Sequence, residues 1–220
     1  MTYILTGSTA FALIATYDWA QMRGHTWLKP LFFLSGVVFF IGLHGVLSTP
    51  IDINFPHWVS FIGWACLCFF SFLLIYSILI EISIKSYLNR DNEHALIDTG
   101  TYALSRHPGV LWFTGAAVSI VLLHPTRHTI LAAVFWTIMD LLLVWVEDRY
   151  FFPNTITGYN RYKTTVPFLL PTAKSIRRCL KTIKPKRMPD PEPIECRSRP
   201  SLESRELITI DIPSTEEDTQ

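Results

Sequence analysis

The stretch that decides the fold runs from Arg106 to Asp148: RHPGVLWFTGAAVSIVLLHPTRHTILAAVFWTIMDLLLVWVED. Two apolar runs, Val110 to Leu123 and Ile130 to Val146, flank the short connection Leu123-His124-Pro125-Thr126-Arg127-His128. A connection that tight forces an antiparallel helical hairpin. Its open ends, Arg106-His107-Pro108 and Glu147-Asp148, must then lie close together although about forty positions separate them. Pro108 suits the first turn of a helix, where no N–H is needed. The unpaired N–H groups just beyond it offer a seat for a carboxylate or phosphate.

Working outward, Trp27 to Leu47 and Trp58 to Ile80 are also almost free of charge. A membrane-crossing helix takes roughly 20 apolar residues, and two of the four runs meet that length outright. Val110 to Leu123 reaches a workable length only with Arg127 or His128 as its outer end. Thr2 to Tyr17 is a weaker fifth candidate, diluted by Thr, Ser and Gly, and it lacks the basic start of a signal peptide. Half of the 220 residues are hydrophobic and only 17% are charged. They come in blocks rather than amphipathic stripes, which argues against an ordinary soluble domain. The expectation is an all-α, multi-pass transmembrane helical bundle of about five spans.

Charge placement sets the expected orientation. Eighteen of the nineteen Lys and Arg residues fall in alternate loops or after Glu147, and only Arg127 lies on the other side. The positive-inside rule then places the C-terminus in the cytoplasm and the N-terminus outside. From about Thr172 the composition changes: aromatics vanish, prolines accumulate, and a basic stretch gives way to the acidic Glu216-Glu217-Asp218. Such a segment buries too little surface to offset its ordering entropy. Residues 1–171 are therefore expected to form one transmembrane domain. Residues 172–220 are expected to form a disordered cytoplasmic tail whose basic start lies on anionic lipid or meets a protein partner. No His or Cys spacing resembles a zinc site, so no metal is expected, and no nucleic-acid partner. Asp140, inside a span, is expected to pair with His44 or with a hydroxyl on another helix. Asp18 and Glu81, at span ends, carry no assigned role.

The segment Leu96-Ile97-Asp98-Thr99-Gly100-Thr101-Tyr102, followed by Arg106-His107-Pro108, resembles the signature of the integral-membrane isoprenylcysteine carboxyl methyltransferases and phospholipid methyltransferases. A second signature follows their last hairpin: an acidic pair, a bulky apolar residue and Tyr-x-x-Tyr ahead of Val-Pro. Glu147-Asp148, Phe151, Tyr159, Tyr162 and Val166-Pro167 fall at that spacing. The likeness covers residues 95–171. The chain departs from the pattern at Val110, at Trp112 where the family carries Gly, at Asp148 in place of Glu, and at Thr155-Ile156 where it carries Phe-Gly.

The resemblance implies a methyltransferase dependent on S-adenosylmethionine, with a lipid, prenylated or otherwise lipid-modified acceptor entering from the bilayer. Arg106, His107 and the N–H groups after Pro108 would bind the cofactor's carboxylate. Glu147 and Asp148 would bind its ammonium or ribose hydroxyls, and Gly100, Tyr102, Tyr159 and Tyr162 would complete the cofactor site. His107, Glu147 and Arg106 are the residues expected to act in catalysis, with Glu147 or His107 as base if the acceptor is an amine. Plainer readings stand beside these. Arg106 and His107 also fit headgroup anchors, and Trp145, Tyr150, Phe151 and Phe152 fit an interfacial aromatic belt. Two other functions are left open: an NADPH-dependent enzyme like the membrane sterol reductases, and a non-catalytic membrane adaptor.

Overall fold

A computed structural model of the chain describes residues 1–51, 53, 55–81 and 96–183. Expectations about the basic residues Lys85 and Arg90 and about the tail beyond Ile183 lie outside the described residues. Among the described residues every regular element is helical and none is a strand. α1 spans Thr2–Met22, α2 Pro30–Leu47 and α3 His57–Ile75, the last continued by a π-helical turn at Tyr76–Glu81. The one-turn α4, Thr101–Leu104, leads to α5, Pro108–Leu123, and α6, Arg127–Val146. A second π-helical turn, Glu147–Phe151, carries α6 into α7, Phe152–Thr155, followed by α8, Tyr159–Thr165, and α9, Ala173–Ile183.

Local chemistry explains the boundaries. Pro30 and Pro108 open α2 and α5 in the first turn, where the missing N–H costs nothing. Thr126 caps α6 in a reciprocal box with Thr129, each side chain satisfying a backbone N–H of the other. The expected hairpin between α5 and α6 is present, and the far end of α2 braces its turn: His124 Nε2 lies 2.8 Å from the Thr49 carbonyl oxygen.

Large residues face outward and small ones inward. Phe33 and Phe61 are 75% and 78% exposed, and Phe40, Trp58, Trp64 and Phe72 also point out. The interior holds Gly7, Ala10, Ala20, Gly42, Gly45, Val46, Ala116 and Ala132. α1 and α2 touch backbone to backbone, because a methyl group at Gly42 would run into Gly7. Trp136 on α6 fills the space over Gly7 and donates its indole N–H to the Ile4 carbonyl at 3.1 Å. Small contacts with apolar outer faces are the packing of helices whose surroundings are lipid. Among the described residues three helices are long and apolar enough to cross a membrane: Pro30–Leu47, His57–Glu81 and Arg127–Thr155. α5, with 16 residues, is shorter.

Past residue 171, where the tail was expected to begin, α9 runs to Ile183 and packs on α4. Thr172 and Ser175 cap it reciprocally, at 2.9 and 3.2 Å. His44, one of the partners expected for Asp140, is exposed on α2.

Candidate functional site

The hairpin delivers the Arg106 and Asp148 ends to one place. Asp148 is 8% exposed and is the hub of a polar cluster. Arg106 Nη1 lies 2.9 Å from its Oδ1 and Lys163 Nζ lies 3.0 Å from its Oδ2. The Tyr159 hydroxyl donates to Oδ1 at 2.7 Å. Lys163 also donates to the Asp148 carbonyl oxygen at 2.8 Å, so α8 is tied to the π-helical turn. His107 Nε2 is 3.5 Å from Oδ1, too far for a close hydrogen bond. Both carboxylate oxygens are therefore engaged by groups of the chain itself.

Residues 166–168 clasp the Ser105–His107 segment. Arg106 N–H donates to the Pro167 carbonyl at 3.0 Å and the Ser105 hydroxyl to the Phe168 carbonyl at 3.1 Å. The His107 ring stacks on Phe152 at 5.8 Å and meets the edge of Phe168 at 5.2 Å. The Arg106 guanidinium sits 5.4 Å from the centre of the Phe168 ring. Burial holds the His107 imidazole below its ordinary pKa of 6.5, opposed by Asp148 and reinforced by the neighbouring charges of Arg106 and Lys163. His107 is therefore neutral at pH 7. Burial also raises the phenols of Tyr102, Tyr159 and Tyr162, which stay protonated as donors. Tyr162 donates to the Tyr102 carbonyl at 2.6 Å, joining α8 to α4.

Glu147 has a different company from its neighbour. Its carboxyl has Asp18, at the end of α1, and Asp140 as acidic neighbours. Two carboxyl groups so placed need a proton or a cation between them. Among the described residues no group of three or more His, Cys, Asp or Glu is arranged to hold a metal ion.

A second buried acid organises the loop before the site. Glu81, 3% exposed at the end of the first π-helical turn, accepts from both the N–H and the hydroxyl of Thr101. Gly100 turns here with φ +64°, and a side chain at that position would strike the Glu81 carboxylate. Both π-helical turns thus end a long apolar helix and place acids at the site, in keeping with the frequent use of such turns at functional sites.

The structure brings together Arg106, His107, Asp148 and Tyr159 in one cluster, and joins Tyr162, Tyr102 and Gly100 to it through α4. Pro108 is fully buried beside them. Glu147 stands on the same turn but faces α1. Asp18, Glu81 and Lys163 belong to the site and were not expected there. Charges at span ends gave no sequence signal of a partner on a distant helix, and only Lys163, one turn after Tyr159, is placed by spacing to share its face.

Polar atoms left without partners test the fit of S-adenosylmethionine. Arg106 Nε and His107 Nε2 are buried with no hydrogen-bond partner, and so is Asp18 Oδ2. In chemical type the first pair suits an anion, and Asp18 beside Glu147 suits a cation; Asp148 has no oxygen to spare. Trp112 Nε1 is also buried without a partner. No family model, no curated protein and no solved structure matches this chain.

Proposed function

We propose that this chain is an integral-membrane methyltransferase that uses S-adenosylmethionine to methylate a lipid or lipid-modified acceptor, in the manner of the isoprenylcysteine carboxyl and phospholipid methyltransferases. In this reading α1, α2, α3, α5 and α6 all cross the bilayer, with the N-terminus outside and the C-terminus cytoplasmic. One observation supports it above the others: the residues of the two resembling motifs, far apart in sequence, meet around the buried Asp148 carboxylate.

When bound, S-adenosylmethionine supplies an electrophilic methyl group on a sulfonium. Arg106, which meets Asp148 through Nη1 and leaves Nε without a partner, and His107 would bind the carboxylate end. Glu147 and Asp18 face the ammonium end, where a cation relieves their mutual repulsion. Asp148 acts as a positioning residue that holds Arg106 and Tyr159 in place. A carboxylate acceptor needs no base. An amine acceptor must first lose its proton.

The non-catalytic adaptor reading is favoured by one observation: the hub is closed on itself, with His107, Asp148, Tyr159 and Tyr162 all buried. Methyl-labelled S-adenosylmethionine, added to membranes holding the full chain with lipid extract or prenylated peptide as acceptor, separates the two. The proposal expects label in the lipid or peptide fraction, lost with Arg106→Ala. No label above the Arg106→Ala background with any acceptor would leave the adaptor.

A further inference from the structure

The basic helix α9 carries its residues in three arcs. Ser175, Cys179 and Thr182 turn inward, and the Thr182 hydroxyl accepts the Gly100 N–H at 3.0 Å. Ile176 and Leu180, one turn apart, are 43% and 64% exposed. On the remaining arc Lys174, Arg177, Arg178 and Lys181 line an open groove of about 660 Å³. The helix contains no acidic residue, and of its four cations Arg178 pairs with Asp98 at 2.6 Å. Leu170, just before the helix, is also exposed.

Position decides what this surface meets. α9 packs on α4, whose Thr101 is held by Glu81 at the end of the apolar helix His57–Glu81. The helix therefore lies level with the ends of the membrane-length helices. A row of cations beside exposed aliphatic residues at that depth complements negative headgroups above acyl chains.

We propose that α9 is an interfacial anchor that binds anionic phospholipid headgroups of the bilayer holding the apolar helices, and so steadies the 98–104 loop of the candidate site. The occupant is the lipid surface: the groove is open, and the exposed Ile176 and Leu180 beside it suit acyl chains and give a free phosphate nothing to bind. The anchoring rests on the chain lying in a membrane and does not depend on the reaction proposed above.

Hydrogen–deuterium exchange on the full chain in lipid nanodiscs tests it. Amides of residues 173–183 are expected to exchange at least about tenfold more slowly when phosphatidylserine is added to phosphatidylcholine. Protection extends to residues 98–104 through the Thr182 and Arg178 contacts. Added NaCl erases the difference in the unaltered protein. The combined Lys174→Gln, Arg177→Gln and Lys181→Gln variant abolishes it while keeping the wild-type rate in phosphatidylcholine. Ile176→Ser with Leu180→Ser weakens protection in both lipids. Equal exchange in the two lipids would overturn the proposal and hand the basic arc to an acidic protein partner. Equal protection by inorganic phosphate in phosphatidylcholine discs would overturn it in favour of a soluble anion.

Discussion

Glu147 and Asp148 are adjacent in the chain and sit in opposite surroundings. Asp148 is ringed by Arg106, Lys163, His107 and the Tyr159 hydroxyl, and every contact favours its charge. Glu147 instead has two other acids, Asp18 and Asp140, as neighbours. The π-helical turn that carries both residues sends their side chains to different helices. The contrast separates two roles that the sequence pattern had merged. Asp148 is a fastener, whose removal strands buried charges. Glu147 is held at a cost in stability, and intramembrane acids kept at such a cost commonly line a site.

The largest expected effect tests the fastener. Asp148→Ala leaves Arg106 and Lys163 without their counter-charge and should lower unfolding free energy by about 3–5 kcal/mol, read as a large fall in thermal midpoint in detergent. A change near zero would show that the cluster is solvated and carries no stability. Next comes Tyr159→Phe, which removes a hydrogen bond to a charged oxygen and should cost about 2 kcal/mol. Tyr162→Phe, which loses a bond to a neutral carbonyl, should cost about 1 kcal/mol. If the two tyrosines came out equal, Asp148 would not be the charged centre of the cluster.

Glu147→Gln should go the other way. Removing one of two repelling acids should leave stability within about 1 kcal/mol of the parent or raise it. A loss as large as that of Asp148→Ala would erase the contrast between the neighbours. The smallest effect is on acid sensitivity. His107 is held below its ordinary pKa, so the folded chain prefers the neutral ring. Its contribution is complete above pH 6.5 and declines below it, because the unfolded chain takes up a proton that the folded chain resists. His107→Asn should flatten that part of the stability–pH curve, and an unchanged slope would show that other groups set it.

How much of this was legible follows from the range of each interaction. The α5–α6 hairpin could be read from two apolar runs and a short polar link, and with it the meeting of Arg106 and Asp148. The Asp18–Glu147 and Glu81–Thr101 contacts could not, since they join helices whose mutual placement no local pattern encodes. The α1–α2 crossing was equally hidden: it depends on Gly7 opposite Gly42 and Tyr3 opposite Gly45, split between two helices. α9 was missed because the Pro-rich, charged composition further on blurred the Thr172–Ser175 cap and the inward face of Ser175, Cys179 and Thr182. The crossing number was only partly legible, because Thr, Ser and Gly dilute α1 and α5 is short.

Calorimetric titration of the detergent-purified chain with S-adenosylmethionine, alongside Glu147→Gln at matched thermal stability, tests the central claim most directly. The account predicts saturable binding by the parent and an affinity at least about tenfold weaker in the variant, the loss of a charged contact made only with ligand. Equal affinity in both proteins, or no binding by either, would contradict it.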